Sequence, residues 1–157
     1  MVCFTRAVVT IGLLSVLGCG TTLRPIEPVE TQKVQFICDP VINSGKNLEI
    51  DIIYITYVQE LREVMRLGPK QWFETEKRAQ WKFKESVTLQ GGDNAVVTLD
   101  PVVLKRTVLL VVFANYSGVL DPANQQVVID YAGQESELIR VEKSRILPQN
   151  ESLRYVK

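Results

Sequence analysis

Histidine is absent from all 157 residues, and cysteine occurs three times. The missing imidazole excludes Ser-His-Asp and Cys-His nucleophile pairs and removes the commonest zinc and copper ligand. No metal site and no cofactor motif is expected. Excess charge of either sign is also lacking, since 18 Lys and Arg balance 18 Asp and Glu. Nothing therefore advertises a nucleic-acid partner or an acidic membrane patch. No apolar run is long enough to span a bilayer, which takes roughly 20 residues. The stretch Val108–Ala114 is the most apolar in the interior and suits the middle of a sheet.

The amino terminus is more informative. Arg6 gives a short positive start, and Ala7 to Gly18 carries no charge. That is the size of a secretory signal core. Val16-Leu17-Gly18-Cys19, a small residue followed at once by cysteine, resembles the lipobox of bacterial lipoproteins. That resemblance implies cleavage before Cys19, a diacylglycerol on its sulfur and an acylated new amino terminus. Several acyl chains make a stable anchor, at about 0.8 kcal/mol per buried methylene. Gly20 stands where retained inner-membrane lipoproteins often carry Asp, so the resemblance implies the outer membrane. The organisation expected is residues 1–18 as leader, 19–32 as lipidated start and tether, 33–146 as one β domain, and 147–157 as a frayed tail. Cys3 leaves with the leader and Cys19 takes lipid, so Cys38 remains alone as a buried hydrophobe. Without lipid on Cys19, a Cys19–Cys38 disulfide becomes the alternative.

Within the domain the apolar period is mostly two. Lys33–Cys38 reads as a first strand and Asp39–Asn47 as a loop around Asn43-Ser44-Gly45. Leu48–Val58 begins alternating and then turns apolar on both faces, as in a central strand covered on both sides. Gln59–Arg66 switches to helical spacing, with Val58, Leu61, Met65 and Val64 on one face. Gly68-Pro69 ends it, and Lys70–Ala79 makes a second helix with Trp72 and Phe73 inward. Trp81–Leu89 and Ala95–Leu99 read as a hairpin around Gly91-Gly92-Asp93-Asn94, and Asp100-Pro101 as a turn. Thr107–Tyr116 is another strand. Val127–Tyr131 and Glu137–Glu142 read as a last hairpin around Gly133. The sum is a mainly β fold, an antiparallel two-sheet sandwich with a short helical insertion after the second strand, packed across one end.

Three stretches resemble the TssJ (SciN) family, the outer-membrane lipoproteins of type VI secretion. Asn43–Lys46 leading into Ile50-Asp51-Ile52-Ile53-Tyr54 is similar to that family's first loop and second strand. Leu61–Phe73 occupies its helical region, and Phe113-Ala114-Asn115-Tyr116 its late strand end. The family's Tyr-Arg pair is Tyr116-Ser117 here, and its C-terminal tryptophan has no clear counterpart. The resemblance implies a transthyretin-like sandwich without enzymatic activity. It also implies a hetero-oligomeric membrane complex, with the periplasmic domain of the inner-membrane component TssM bound partly through the first loop. Carried over, Val41 and Ile42 would be exposed apolar contacts, with Asn43 and Lys46 polar ones. The plainer alternative is that Val41 and Ile42 extend the strand and pack inward. Rival functions are a pilotin-like lipoprotein escorting a secretin, and an envelope ligand-binding lipoprotein with a deep polar pocket.

Other residues have bland readings beside sharp ones. Asp51, in an apolar strand, is expected to face solvent at an edge or to pair with a lysine. Glu60, Glu63, Glu74 and Glu76 among Arg62, Arg66, Lys70 and Arg78 read as a solvated helical face rather than a glycan-cleaving pair. Trp72 and Trp81 read as core rather than as a stacking platform.

Overall fold

A computed structural model describes residues 32–130 and 136–149. The expected leader, Cys19, most of the expected tether, Gly133 and residues 150–157 lie outside the described residues.

Among the described residues, eight strands form two four-stranded sheets, in the orders β4-β1-β7-β8 and β3-β2-β5-β6. The strands are β1 (Lys33–Cys38), β2 (Leu48–Ile55), β3 (Lys84–Leu89), β4 (Asn94–Thr98), β5 (Leu109–Ala114), β6 (Gln126–Ile129), β7 (Ser136–Val141) and β8 (Ile146–Pro148). The fold is the expected mainly β sandwich. One pair departs from antiparallel order: β1 and β7 run parallel, with Phe36 opposite Ile139. Between the sheets lies the main core, with Phe36, Ile50, Ile52, Leu110, Val112 and Ile139 at its centre.

β2 and β5 bury residues on both faces because a second layer covers the outer side of their sheet. Ile53, Ile55, Val111 and Phe113 point there and meet Val64 and Trp72 of a helical hairpin. The hairpin is α1 (Val58–Glu74) and α2 (Glu76–Gln80). Gly68, at φ 64°, and Pro69 break α1 into two arms, because glycine accepts positive φ and proline cannot continue the ladder. The expected pair of helices is therefore present, but it lies on a sheet face rather than across one end. The buried stripe also differs. Leu61, Val64, Leu67 and Trp72 face the sheet, while Val58 and Met65 are exposed.

Both expected hairpins are absent. β3 pairs with β2 and β4 with β1, so the Gly91-Gly92 turn carries the chain from one sheet to the other. The glycine is required by close approach. A Cβ on Gly91 would sit 2.2 Å from the Pro40 carbonyl oxygen. β6 pairs with β5 and β7 with β1, another crossing between sheets. Alternation fixes which face a strand buries but not which neighbour it takes. Asp100-Pro101 opens a one-turn helix, α3 (Pro101–Leu104), because the Asp100 carboxylate accepts from Val102 N–H at 2.7 Å and Val103 N–H at 3.3 Å. Val103 and Leu104 thereby enter the core. Leu147 and Pro148, expected in a frayed tail, belong instead to β8, where they pair with Arg140 and Ile139.

Candidate partner-docking surface

Strand directions give the sandwich two unlike ends. The first loop (39–47), the β3–β4 turn, the β5–β6 loop and the β7–β8 turn share one end, here the loop end. Gln32, the base of the helical hairpin and α3 share the other. Six to eight strand residues separate them, roughly 20–25 Å at about 3.3 Å each.

Asn43 organises the loop end. It begins three successive positive φ values, 46° at Asn43, 57° at Ser44 and 80° at Gly45. Asparagine enters that region more readily than most residues. Its side chain then offsets the backbone cost. Nδ2 donates to Asn47 O at 2.7 Å, and Oδ1 accepts from Ser117 N–H at 2.7 Å. Its own N–H donates to Lys143 O at 3.0 Å. Three loops meet on one residue that is only 3% exposed. Tyr116 closes the same end from below, its hydroxyl lying 2.8 Å from Glu142 O and 2.9 Å from Arg145 O. Gly92 N–H donates to Asp39 O and Cys38 N–H to Asp93 O, which ties in the fourth segment.

The four residues proposed for partner contact divide evenly. Ile42 is 0% exposed and belongs to the main core, and Asn43 is committed to the scaffold. Neither is presented to solvent, so the expectation of Ile42 as an exposed contact is corrected. The inward reading holds for it because the turn at 43–45 carries its side chain back over the sandwich. Val41 is 55% exposed, and Lys46, five residues on in the same loop, is exposed too. Leu120, at 93% exposure, was not singled out from sequence. A signal existed: Val119-Leu120 is an apolar pair between the turn residues Gly118 and Pro122, and Val119 takes the inward place against the core. The surface thus offers two aliphatic tips and a lysine on a base of hydrogen-bonded loops.

The chemistry-bearing residues elsewhere are structural. Asp51 is 0% exposed and does not face solvent; its partner is an arginine, not a lysine. Its carboxylate accepts from Arg78 Nε at 2.7 Å and Nη2 at 3.1 Å, Trp72 Nε1 at 2.8 Å and Ser86 Oγ at 2.7 Å. Burial pushes its pKa up, but the hydrogen bonds from Arg78, Ser86 and Trp72 outweigh that and hold it below the ordinary value. Trp72 is fully buried, edge-on to Trp81 at 5.5 Å and to Phe113 at 6.1 Å. Glu60 caps α1 by accepting from Thr56 N–H and Tyr57 N–H, and Glu63 pairs with Lys77. Cys38 is buried, and its thiol is pushed up to about 11 by that burial and by the Asp93 and Asp39 charges. Among the described residues no three His, Cys, Asp or Glu side chains gather as metal ligands, and no helix is long and apolar enough to cross a membrane.

No family model and no curated protein matches the sequence. Solved structures do match in fold. The T6SS lipoprotein TssJ1 from Pseudomonas aeruginosa superposes with TM-score 0.55 at 15% identity, covering 78% of this chain and 98% of that one. Serratia marcescens Lip, described as a membrane-bound component of the type VI secretion system, gives 0.53 at 13%, covering 76% and 96%. A chain in the structure titled "T6SS protein TssM C-terminal domain (869-1107) from EAEC" gives 0.59 at 14%, covering 78% and 99%. The chain therefore has the sandwich fold of type VI secretion lipoproteins over nearly the whole of theirs.

Proposed function

We propose that this chain is a lipid-anchored, non-enzymatic component of a type VI secretion membrane complex. Acyl chains on Cys19 hold it to the periplasmic face of the outer membrane, and its loop end binds the periplasmic domain of a TssM-like inner-membrane protein. The observation that carries this reading is the fold, shared with TssJ1 and Lip across 98% and 96% of those chains. The third likeness supports the choice of partner, since that structure is named for the TssM C-terminal domain of the type VI secretion system.

The two-ended layout suits a tether. Chain enters the domain at Gln32, and the first loop lies at the opposite end. A membrane anchor before residue 32 would leave the loop end facing the periplasm. Joining the anchor and the interface in one molecule makes the second engagement effectively intramolecular. Val41 and Leu120 supply the apolar contacts of that interface and Lys46 a rim charge. The test is co-purification after mild detergent extraction. Val41→Asp with Leu120→Asp abolishes recovery of the partner while circular dichroism and the melting curve stay unchanged. Full recovery of the partner with both charges in place would refute the loop end as the docking site.

A further inference from the structure

The opposite end carries exposed apolar side chains that neither the fold nor the docking end uses. Of the nine large hydrophobic residues exposed among the described ones, four sit there: Tyr57, Val58, Val102 and Val108, each more than half exposed. They come from separate stretches of chain, the start of α1, α3 and the link into β5. Hydrogen bonds bring these stretches together. Val108 N–H donates to Ile55 O at 2.7 Å, two residues before Tyr57. Asp100 N–H, at the start of α3, donates to the Tyr54 hydroxyl at 2.9 Å. The other five are divided among the outer face of the β4–β1 sheet, α1 and the loop end.

Cations border this patch. Arg106 and Lys82 stand over the ring of Phe83, at 4.5 and 5.2 Å, and Lys105 is exposed next to Arg106. Of the acids at this end, Glu60 and Asp100 have oxygens engaged by its backbone N–H groups and Glu85 accepts from the Tyr54 hydroxyl, while Asp130 is exposed. A tyrosine with aliphatic neighbours and a basic rim is the composition of a surface that rests at a lipid–water boundary.

The position of the chain entry selects the occupant. Gln32 lies at this end, its carbonyl accepting from Leu99 N–H at 3.0 Å just before α3. About 13 residues separate it from Cys19 in the sequence, at most roughly 45 Å of fully extended chain. We propose that this end of the sandwich rests on the phospholipid surface, with Tyr57, Val58, Val102 and Val108 entering the headgroup layer. The acyl anchor and the domain then bind one bilayer at two points, which sets the domain upright with its loop end away from the membrane. This inference rests on the anchor proposed above.

The test uses the full lipidated protein in phosphatidylethanolamine–phosphatidylglycerol vesicles. An environment-sensitive fluorophore is placed on Val102→Cys, Val108→Cys or, as the far-end control, Leu120→Cys. Cys38 does not compete, being buried with its thiol pushed up to about 11. Mass spectrometry of the N-terminal peptide reads the anchor separately. The expected result is blue-shifted emission at 102 and 108, quenched by nitroxide lipids, with water-like emission at 120. Water-like emission at all three positions on a Cys19-acylated protein overturns the inference and leaves the anchor standing. A blue shift at 102 and 108 that appears only with an added protein partner also overturns it. An unmodified Cys19 removes the anchor and this inference together.

Discussion

Arg78→Ala removes the charge opposite a fully buried carboxylate. Asp51 would keep two neutral donors, Trp72 Nε1 and Ser86 Oγ, and lose both bonds from the guanidinium. Breaking a buried pair in this way costs about 3–5 kcal/mol. The same change removes the guanidinium stacked 4.5 Å over Phe73, worth about 0.5–1 kcal/mol. Asp51→Ala is the milder cut, because Arg78, whose side chain is 25% exposed, can turn to water. Its main cost is the stranded Trp72 N–H, about 1–3 kcal/mol. Against a typical domain stability of about 5–15 kcal/mol, the first variant should be marginal and the second should fold. The pH dependence separates this reasoning from simple loss of packing. In the native protein the folded carboxyl lies below its unfolded value of about 3.9, so its contribution is present above that pH and lost as pH falls through the lower folded value. Without Arg78, burial dominates and raises the carboxyl above the unfolded value. The folded variant then takes up a proton, and its deficit against wild type shrinks between pH 7 and about 4.5. Urea unfolding followed by tryptophan fluorescence at both pH values measures this. A deficit under about 1 kcal/mol that does not change with pH would refute the clamp.

Further outcomes follow from the same contacts. Ile42→Asp should unfold the domain, since it places a charge in the main core, whereas Val41→Asp should leave the unfolding free energy from urea titration within about 0.5 kcal/mol of wild type. Gly91→Ala drives a methyl into the Pro40 carbonyl and should cost about 1–3 kcal/mol by thermal melt. Tyr116→Phe removes the hydroxyl held by Glu142 O and Arg145 O and should cost about 1–3 kcal/mol in the same assay. Cys38 should resist thiol reagents at pH 8 in the native protein and react on unfolding, because burial holds its pKa near 11; fast labelling of the folded protein would contradict that burial.

Strand identity was legible because period-two patterning survives in β1 and the start of β2, and the doubly apolar stretches of β2 and β5 announced a second covering layer. Strand partners were not. Gly91-Gly92 has the composition of a hairpin turn, yet it spans the two sheets because Pro40 packs against it. The helical hairpin was found, but its seat was not, since nothing local links Asp51 to Arg78, 27 residues away. In the docking loop, Val41 and Ile42 are adjacent aliphatics with opposite fates. Only the left-handed turn at 43–45 decides which one faces the core, and that turn is fixed by Ser117 and Lys143 from distant loops.

Photo-crosslinking in living cells tests the two-ended tether most directly. A benzophenone side chain at Leu120 should capture the periplasmic domain of an inner-membrane protein, and one at Val102 should not. Capture of that protein from Val102, with none from Leu120, would contradict the account.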